Sequence, residues 1–180
     1  MNLPNMLSTL RVFMVPLMLV FLLIESLENP LAALVIFILA SITDFLDGYI
    51  ARKYHLITKL GKLIDPLADK ILTAAAFIAL TYLRQINPWI VIAIISREFI
   101  VSIFRAIAAS EGRVIAASSW GKFKTVTQML TIIVMLLIMS FPSALGNFMV
   151  IGRIMAWLTL GLTVVSAVDY IVKNIEVLKE

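Results

Sequence analysis

Six apolar stretches, at about residues 7–24, 31–52, 63–83, 88–109, 123–141 and 148–172, set the terms for any fold this chain can adopt. Each is close to the roughly 20 residues that a helix needs to cross a hydrocarbon core about 30 Å thick. Together they leave only short connections in a chain of 180 residues, so one domain spanning 1–180 is expected, with no appended soluble part. The chain is 62% hydrophobic and only 14% charged, against about 45–50% and about 25% in soluble domains. A water-soluble globule and a disordered chain are both excluded by that balance. The expected fold class is all-α, a polytopic membrane protein of six transmembrane helices.

Lysine and arginine placement gives the orientation. The connections at 25–30 and 142–147 carry none, and 84–88 carries only Arg84. Arg52, Lys53, Lys59 and Lys62 crowd the second connection, Arg113, Lys122 and Lys124 the fourth, and Lys173 and Lys179 the C-terminal end. Cytoplasmic loops hold the excess of cations, so the two basic connections and both termini are expected inside. The net charge of +4 then reads as loops facing anionic lipid rather than nucleic acid. There is no cysteine, which removes disulfides and thiolate metal sites. The first apolar stretch has Arg11 within it, no basic segment before it and no small-residue cleavage site after it. It is expected to stay as a span rather than be removed as a leader.

The ionisable residues are concentrated rather than scattered. Asp44, Asp47, Asp65 and Asp69 all fall where the second and third helices meet their shared cytoplasmic connection. A charge at membrane depth costs at least about 2.5–3.5 kcal/mol, which makes such residues functional candidates by default. Asp44 and Asp47 are three apart and Asp65 and Asp69 four apart, so each pair shares a helix face. A helical hairpin brings the pairs together. Four converging carboxylates without His or Cys select a hard divalent cation, Mg²⁺ or Mn²⁺. Gly48, Ala51 and Gly61 are small residues beside these acids, which lets a ligand approach the backbone, and Arg52 is placed to meet a phosphate or shield an acid. Acids, small residues and metal together read as a nucleotide or diphosphate pocket.

The pattern Asp44-x-x-Asp47-Gly48-x-x-Ala51-Arg52, eight residues, then Gly61-x-x-x-Asp65-x-x-x-Asp69 resembles the signature of the CDP-alcohol phosphatidyltransferase family at every fixed position. Three further stretches resemble the branch that makes phosphatidylglycerophosphate. They are Asn2-Leu3-Pro4-Asn5 with Arg11, Ser96-Arg97-Glu98-Phe99 with Arg105, and Trp120-Gly121-Lys122-Phe123-Lys124-Thr125. The resemblance implies transfer of a phosphatidyl group from CDP-diacylglycerol to sn-glycerol 3-phosphate, with release of CMP. It implies two metal ions held by Asp44, Asp47 and Asp65, with Asp69 completing the carboxylate set and acting as base on the acceptor hydroxyl. It further implies a cytidine and diphosphate pocket of Asp44, Asp47, Gly48, Ala51, Arg52 and Gly61, a homodimer, and a place in the bacterial plasma membrane with the site facing the cytoplasm.

An anionic acceptor needs cations in the same cavity. Arg97, Arg105, Lys122 and Lys124 are the candidates, with Arg105 and Lys124 preferred and Lys59 and Arg113 secondary. Each has a plainer reading. Lys122 and Lys124 fit the ordinary basic character of an inner loop, and Arg97 with Glu98 fits a structural ion pair. Arg153 is left open between acceptor contact and ion pair. Acids in the first turn of a helix are favoured there, which covers Asp65 and Asp69 but not Asp44 and Asp47 at a helix C-terminal end. His55 has no partner at ligand spacing and reads as a loop residue. The methionines and aromatics read as packing or lipid-facing residues, with Trp89 and Trp120 near the interfaces. Rival functions are a sister transferase acting on inositol phosphate or serine, an ion transporter, and a scaffold. The transporter is disfavoured by acids gathered at one end of the helices rather than at mid-span.

Overall fold

The computed structural model describes the backbone of residues 3–53, 59–110 and 118–174, with side chains for 6, 9–44, 46, 70–109 and 118–174. Asparagine followed by proline starts two of the helices. Asn29 Oδ1 accepts from the Ala32 amide at 3.0 Å ahead of α2 (Pro30–Lys53). Asn87 Oδ1 likewise accepts from the Trp89 amide at 3.0 Å ahead of α4 (Pro88–Ser110). The asparagine satisfies an otherwise unpaired amide, and proline at the first helical position has no amide to satisfy. Ser118 does the same for α5 (Ser119–Ser140), accepting from the Gly121 amide at 3.2 Å.

The other long helices are α1 (Leu3–Leu23), which carries Pro16 internally, α3 (Lys59–Tyr82) and α7 (Met149–Lys173). A short helix, α6 (Pro142–Leu145), and a 3₁₀ turn (Gly146–Phe148) lead into α7. The expected loop at 142–147 is therefore partly helical, because Pro142 presets a first helical residue. The six long helices otherwise match the expected stretches, and no strand occurs among the described residues.

α1 packs against α2 and α3, α5 against α2 and α7, and α4 against α3 and α7. The core uses Met18, Leu22, Phe37, Leu72, Phe77, Ile132 and Met135, with Ala33, Ala40 and Ala76 fully buried where backbones approach. On α7, a Cβ added to Gly152 would lie 3.2 Å from Met135 Cε, so glycine permits the close α5–α7 approach. Further along that contact the buried hydroxyls of Thr131 and Thr159 bond each other at 2.9 Å.

The polar pattern is the reverse of that in a soluble protein. Arg11, Lys124, Gln128, Thr131, Thr159, Thr163 and Ser166 are buried, whereas Phe13, Ile78, Phe99, Phe123, Leu158 and Val172 are exposed. By length and composition, Ser119–Ser140 and Pro142–Lys173 are long and apolar enough to cross a membrane. Thr9–Leu23, Pro30–Asp44 and Lys70–Tyr82 are shorter apolar runs among the described residues.

Candidate active site

The signature falls on two helices. α2 continues as helix through Asp44, Asp47, Gly48, Ala51 and Arg52 to Lys53, and α3 carries Gly61, Asp65 and Asp69 on its opening turns. Both pack against α1. The side chains at Asp47, Gly48, Ala51, Arg52, Gly61, Asp65 and Asp69 lie outside the described residues, as do Lys59, Arg113 and His55.

Asp44 is described, and its partner comes from α1. Arg11 Nη1 lies 2.7 Å from Asp44 Oδ1, and Arg11 Nε donates to the Ala40 carbonyl at 3.3 Å. Arg11 is fully buried, while the Asp44 side chain keeps 34% of its surface exposed. The guanidinium thus sits behind the carboxylate, and the carboxylate faces outward. A fully buried arginine is costly unless paired and hydrogen-bonded, and here it has both a carboxylate and a carbonyl. Thr43 Oγ1 donates to the same Ala40 carbonyl at 2.7 Å. Sequence reading singled out Arg11 as a cation inside an apolar stretch without giving it a role. That position was the available signal, since a buried cation needs an acid within reach.

A second polar centre lies between α3, α4, α5 and α7. Lys124 Nζ of α5 donates to Glu98 Oε1 of α4, and Arg97 Nη1 lies 3.6 Å from the same oxygen. Arg97 Nη2 donates to Ser166 Oγ of α7 at 2.9 Å. Lys70 of α3, the residue after Asp69, donates to Ser102 Oγ, which donates onward to the Glu98 carbonyl at 2.5 Å. One turn further along α4, Arg105 Nε donates to the Tyr170 hydroxyl at 3.3 Å, and its Cζ lies 5.3 Å from the Tyr170 ring centroid. Phe104 meets that ring edge-on at 5.7 Å.

The four candidate cations therefore differ in setting. Lys124 is buried and Arg97 nearly so, and the two converge on Glu98. Arg105 is exposed and steadied by Tyr170, while Lys122 is exposed. The expected ion pair between Arg97 and Glu98 is present but long; Lys124 is the nearer partner. Arg97 Nε and Gln128 Nε2 are buried with no hydrogen-bond partner among the described residues, so this centre retains donor capacity. Sequence reading missed Lys70, Ser102, Ser166 and Tyr170, none of which stands out until the helices are packed. A cavity of about 320 Å³ opens between α3 and α4, with Lys70, Thr73, Glu98 and Ser102 as its polar residues and Ala74, Phe77 and Phe99 among its apolar ones.

The first centre pairs the Asp44 carboxylate with a buried arginine, and the second gathers cations around Glu98. The family model for CDP-alcohol phosphatidyltransferase matches residues 1–165. A Bacillus subtilis (strain 168) protein named CDP-diacylglycerol--glycerol-3-phosphate 3-phosphatidyltransferase is 39% identical, covering 99% of this chain and 97% of its own length. A Rickettsia typhi protein of the same name is 38% identical over 94% of each chain. A Mycobacterium tuberculosis protein named as a probable phosphatidylglycerophosphate synthase is 36% identical over 96% of this chain and 81% of its own. The chain belongs to the CDP-alcohol phosphatidyltransferase family.

Proposed function

We propose that the protein transfers the phosphatidyl group of CDP-diacylglycerol to sn-glycerol 3-phosphate, giving phosphatidylglycerophosphate and CMP. The observation that carries this reading is the complete signature on α2 and α3, with its first carboxylate backed by the buried Arg11. The names of the relatives support the same donor and acceptor. The apolar exterior and buried polar interior support a membrane bundle, and the six apolar stretches with their Lys and Arg placement support six spans with both termini and the aspartates at the cytoplasmic side. The resemblance adds a homodimer.

Carboxylate donors fit hard divalent cations, so Asp44, Asp47, Asp65 and Asp69 would hold two Mg²⁺ or Mn²⁺ ions. Such ions neutralise charge on the diphosphate and align its oxygens. The residues of the chain do the rest. Arg11 keeps the Asp44 carboxylate aimed away from the bundle core. Asp69 accepts the proton of the acceptor hydroxyl as that oxygen bonds to the phosphorus bearing diacylglycerol, and the bond from that phosphorus to the CMP oxygen breaks. Arg97, Arg105 and Lys124 offer donors to the phosphate of the acceptor, arginine as a fork and lysine as a point charge. The apolar cavity between α3 and α4 suits an acyl chain, beside a residue adjacent to Asp69.

The test is CMP release by detergent-purified protein with CDP-diacylglycerol, Mg²⁺ and a panel of acceptors. Release that requires sn-glycerol 3-phosphate and stops with EDTA supports the proposal. Release with inositol phosphate or serine keeps the family chemistry and removes the acceptor. Because the chain has no cysteine, single cysteines report topology cleanly. Ser143→Cys should react with an impermeant maleimide from outside intact cells, and Ser119→Cys only after lysis.

A further inference from the structure

We infer that the end of the bundle remote from the aspartates binds the headgroup of an anionic phospholipid, held by Arg84 and Arg153. The inference rests on the membrane reading proposed above. About 13 residues of helix, or roughly 20 Å at 1.5 Å per residue, separate Asp69 from Tyr82 on α3 and Arg153 from Ser166 on α7.

Arg84 follows the end of α3 with φ of 57°, the one non-glycine residue at positive φ among those described. The Arg84 amide donates to the Thr81 carbonyl and the Gln85 amide to the Leu80 carbonyl, both at 2.9 Å. This is a Schellman closure, in which the left-handed position normally belongs to glycine. Glycine would close the helix equally well without the steric cost that arginine carries there. The side chain, rather than the turn, accounts for the choice, and strain of this kind points toward function.

Arg153, from α7, lines the same cavity of about 510 Å³ as Arg84. Neither arginine has an acidic partner among the described residues. Two guanidiniums sharing one cavity without a counter-charge call for an anion from outside, and their forked donors match phosphate oxygens. Gln85 and Asn87 add amides, while Pro88 and Trp157 make the wall apolar. Tryptophan at a bundle end is the hallmark of the membrane interface, so the site suits an amphiphile rather than a free phosphate.

The protein would be reconstituted in dioleoylphosphatidylcholine nanodiscs with and without dioleoylphosphatidylglycerol, alongside Arg84→Gly and Arg153→Gln. The readout is the melting temperature across a titration of the anionic lipid. The wild type should be stabilised by it, and either variant should need at least about tenfold more lipid, the loss of one charge-assisted bond. Arg84→Gly relieves the left-handed arginine, so its melting temperature in phosphatidylcholine should equal or exceed the wild-type value, which separates lost binding from misfolding. No stabilisation of the wild type, or equal responses in wild type and Arg84→Gly, overturns the inference. So does the same arginine-dependent shift with inorganic phosphate in detergent alone. CMP release, measured on the same samples, should be unchanged by the variants in phosphatidylcholine; its absence from all samples would sink the transferase reading and leave the lipid titration to decide this one.

Discussion

The two polar centres of the bundle are built with opposite charge logic. Where α1, α2 and α3 meet, a fully buried arginine stands behind an aspartate whose carboxylate is a third exposed, and the sequence carries three further acids of the signature on α2 and α3. Where α4, α5 and α7 meet, the acid is in the minority: Glu98 serves Lys124 and Arg97, with Arg105 and Lys70 nearby. The first centre is suited to cations and to a phosphate that arrives with them. The second is suited to an anion arriving on its own. On the proposed function, the diphosphate and the acceptor phosphate are each held by a different one of these two centres.

Variants can break this division. Asp69→Asn removes the proposed base and should lower turnover about a hundred- to ten-thousandfold, with the helical circular dichroism unchanged; retained CMP release would remove Asp69 from catalysis. Arg11→Met removes the partner of an aspartate that is a third exposed and should cost about 1–3 kcal/mol of stability, the loss of a charge-assisted hydrogen bond, read by thermal unfolding. Asp44→Asn in that background should restore part of the loss, and strictly additive effects would show that the pair is not coupled. Glu98→Gln keeps a hydrogen-bond acceptor but loses the charge, at about 1–3 kcal/mol. It should weaken use of sn-glycerol 3-phosphate more than use of CDP-diacylglycerol. Gly152→Ala presses a methyl against Met135, a flexible neighbour, so about 1 kcal/mol of destabilisation is expected, with activity unchanged in both substrates.

The helices were legible because apolar runs are local signals. Their ends were less so. The third helix begins at Lys59 rather than near residue 63, and the fifth at Ser119 rather than near residue 123. An apolar run marks the thickness of hydrocarbon, whereas a helix continues until a cap stops it, as Ser118 does. Within the site, the carboxylate signature was visible as spacing alone. The pairing of Arg11 with Asp44, and of Lys124 with Glu98, was not. These residues lie 33 and 26 positions apart, and which cation meets which acid is decided by helix packing rather than by periodicity. Arg97 beside Glu98 looked like the natural pair, yet neighbours on a helix point in different directions. Arg97 bonds Ser166 on α7 at 2.9 Å, while Lys124 reaches Glu98.

The division of labour between the two centres is tested most directly by two-substrate kinetics of Arg105→Gln. Arg105 is exposed and joined to Tyr170 at the rim of the cationic centre, so its removal should leave the fold intact. The predicted result is a KM for sn-glycerol 3-phosphate raised about tenfold, the loss of one charge-assisted hydrogen bond, with the KM for CDP-diacylglycerol and the metal requirement unchanged. A rise in the donor KM instead, or no change in either, would contradict the assignment of the acceptor phosphate to this centre.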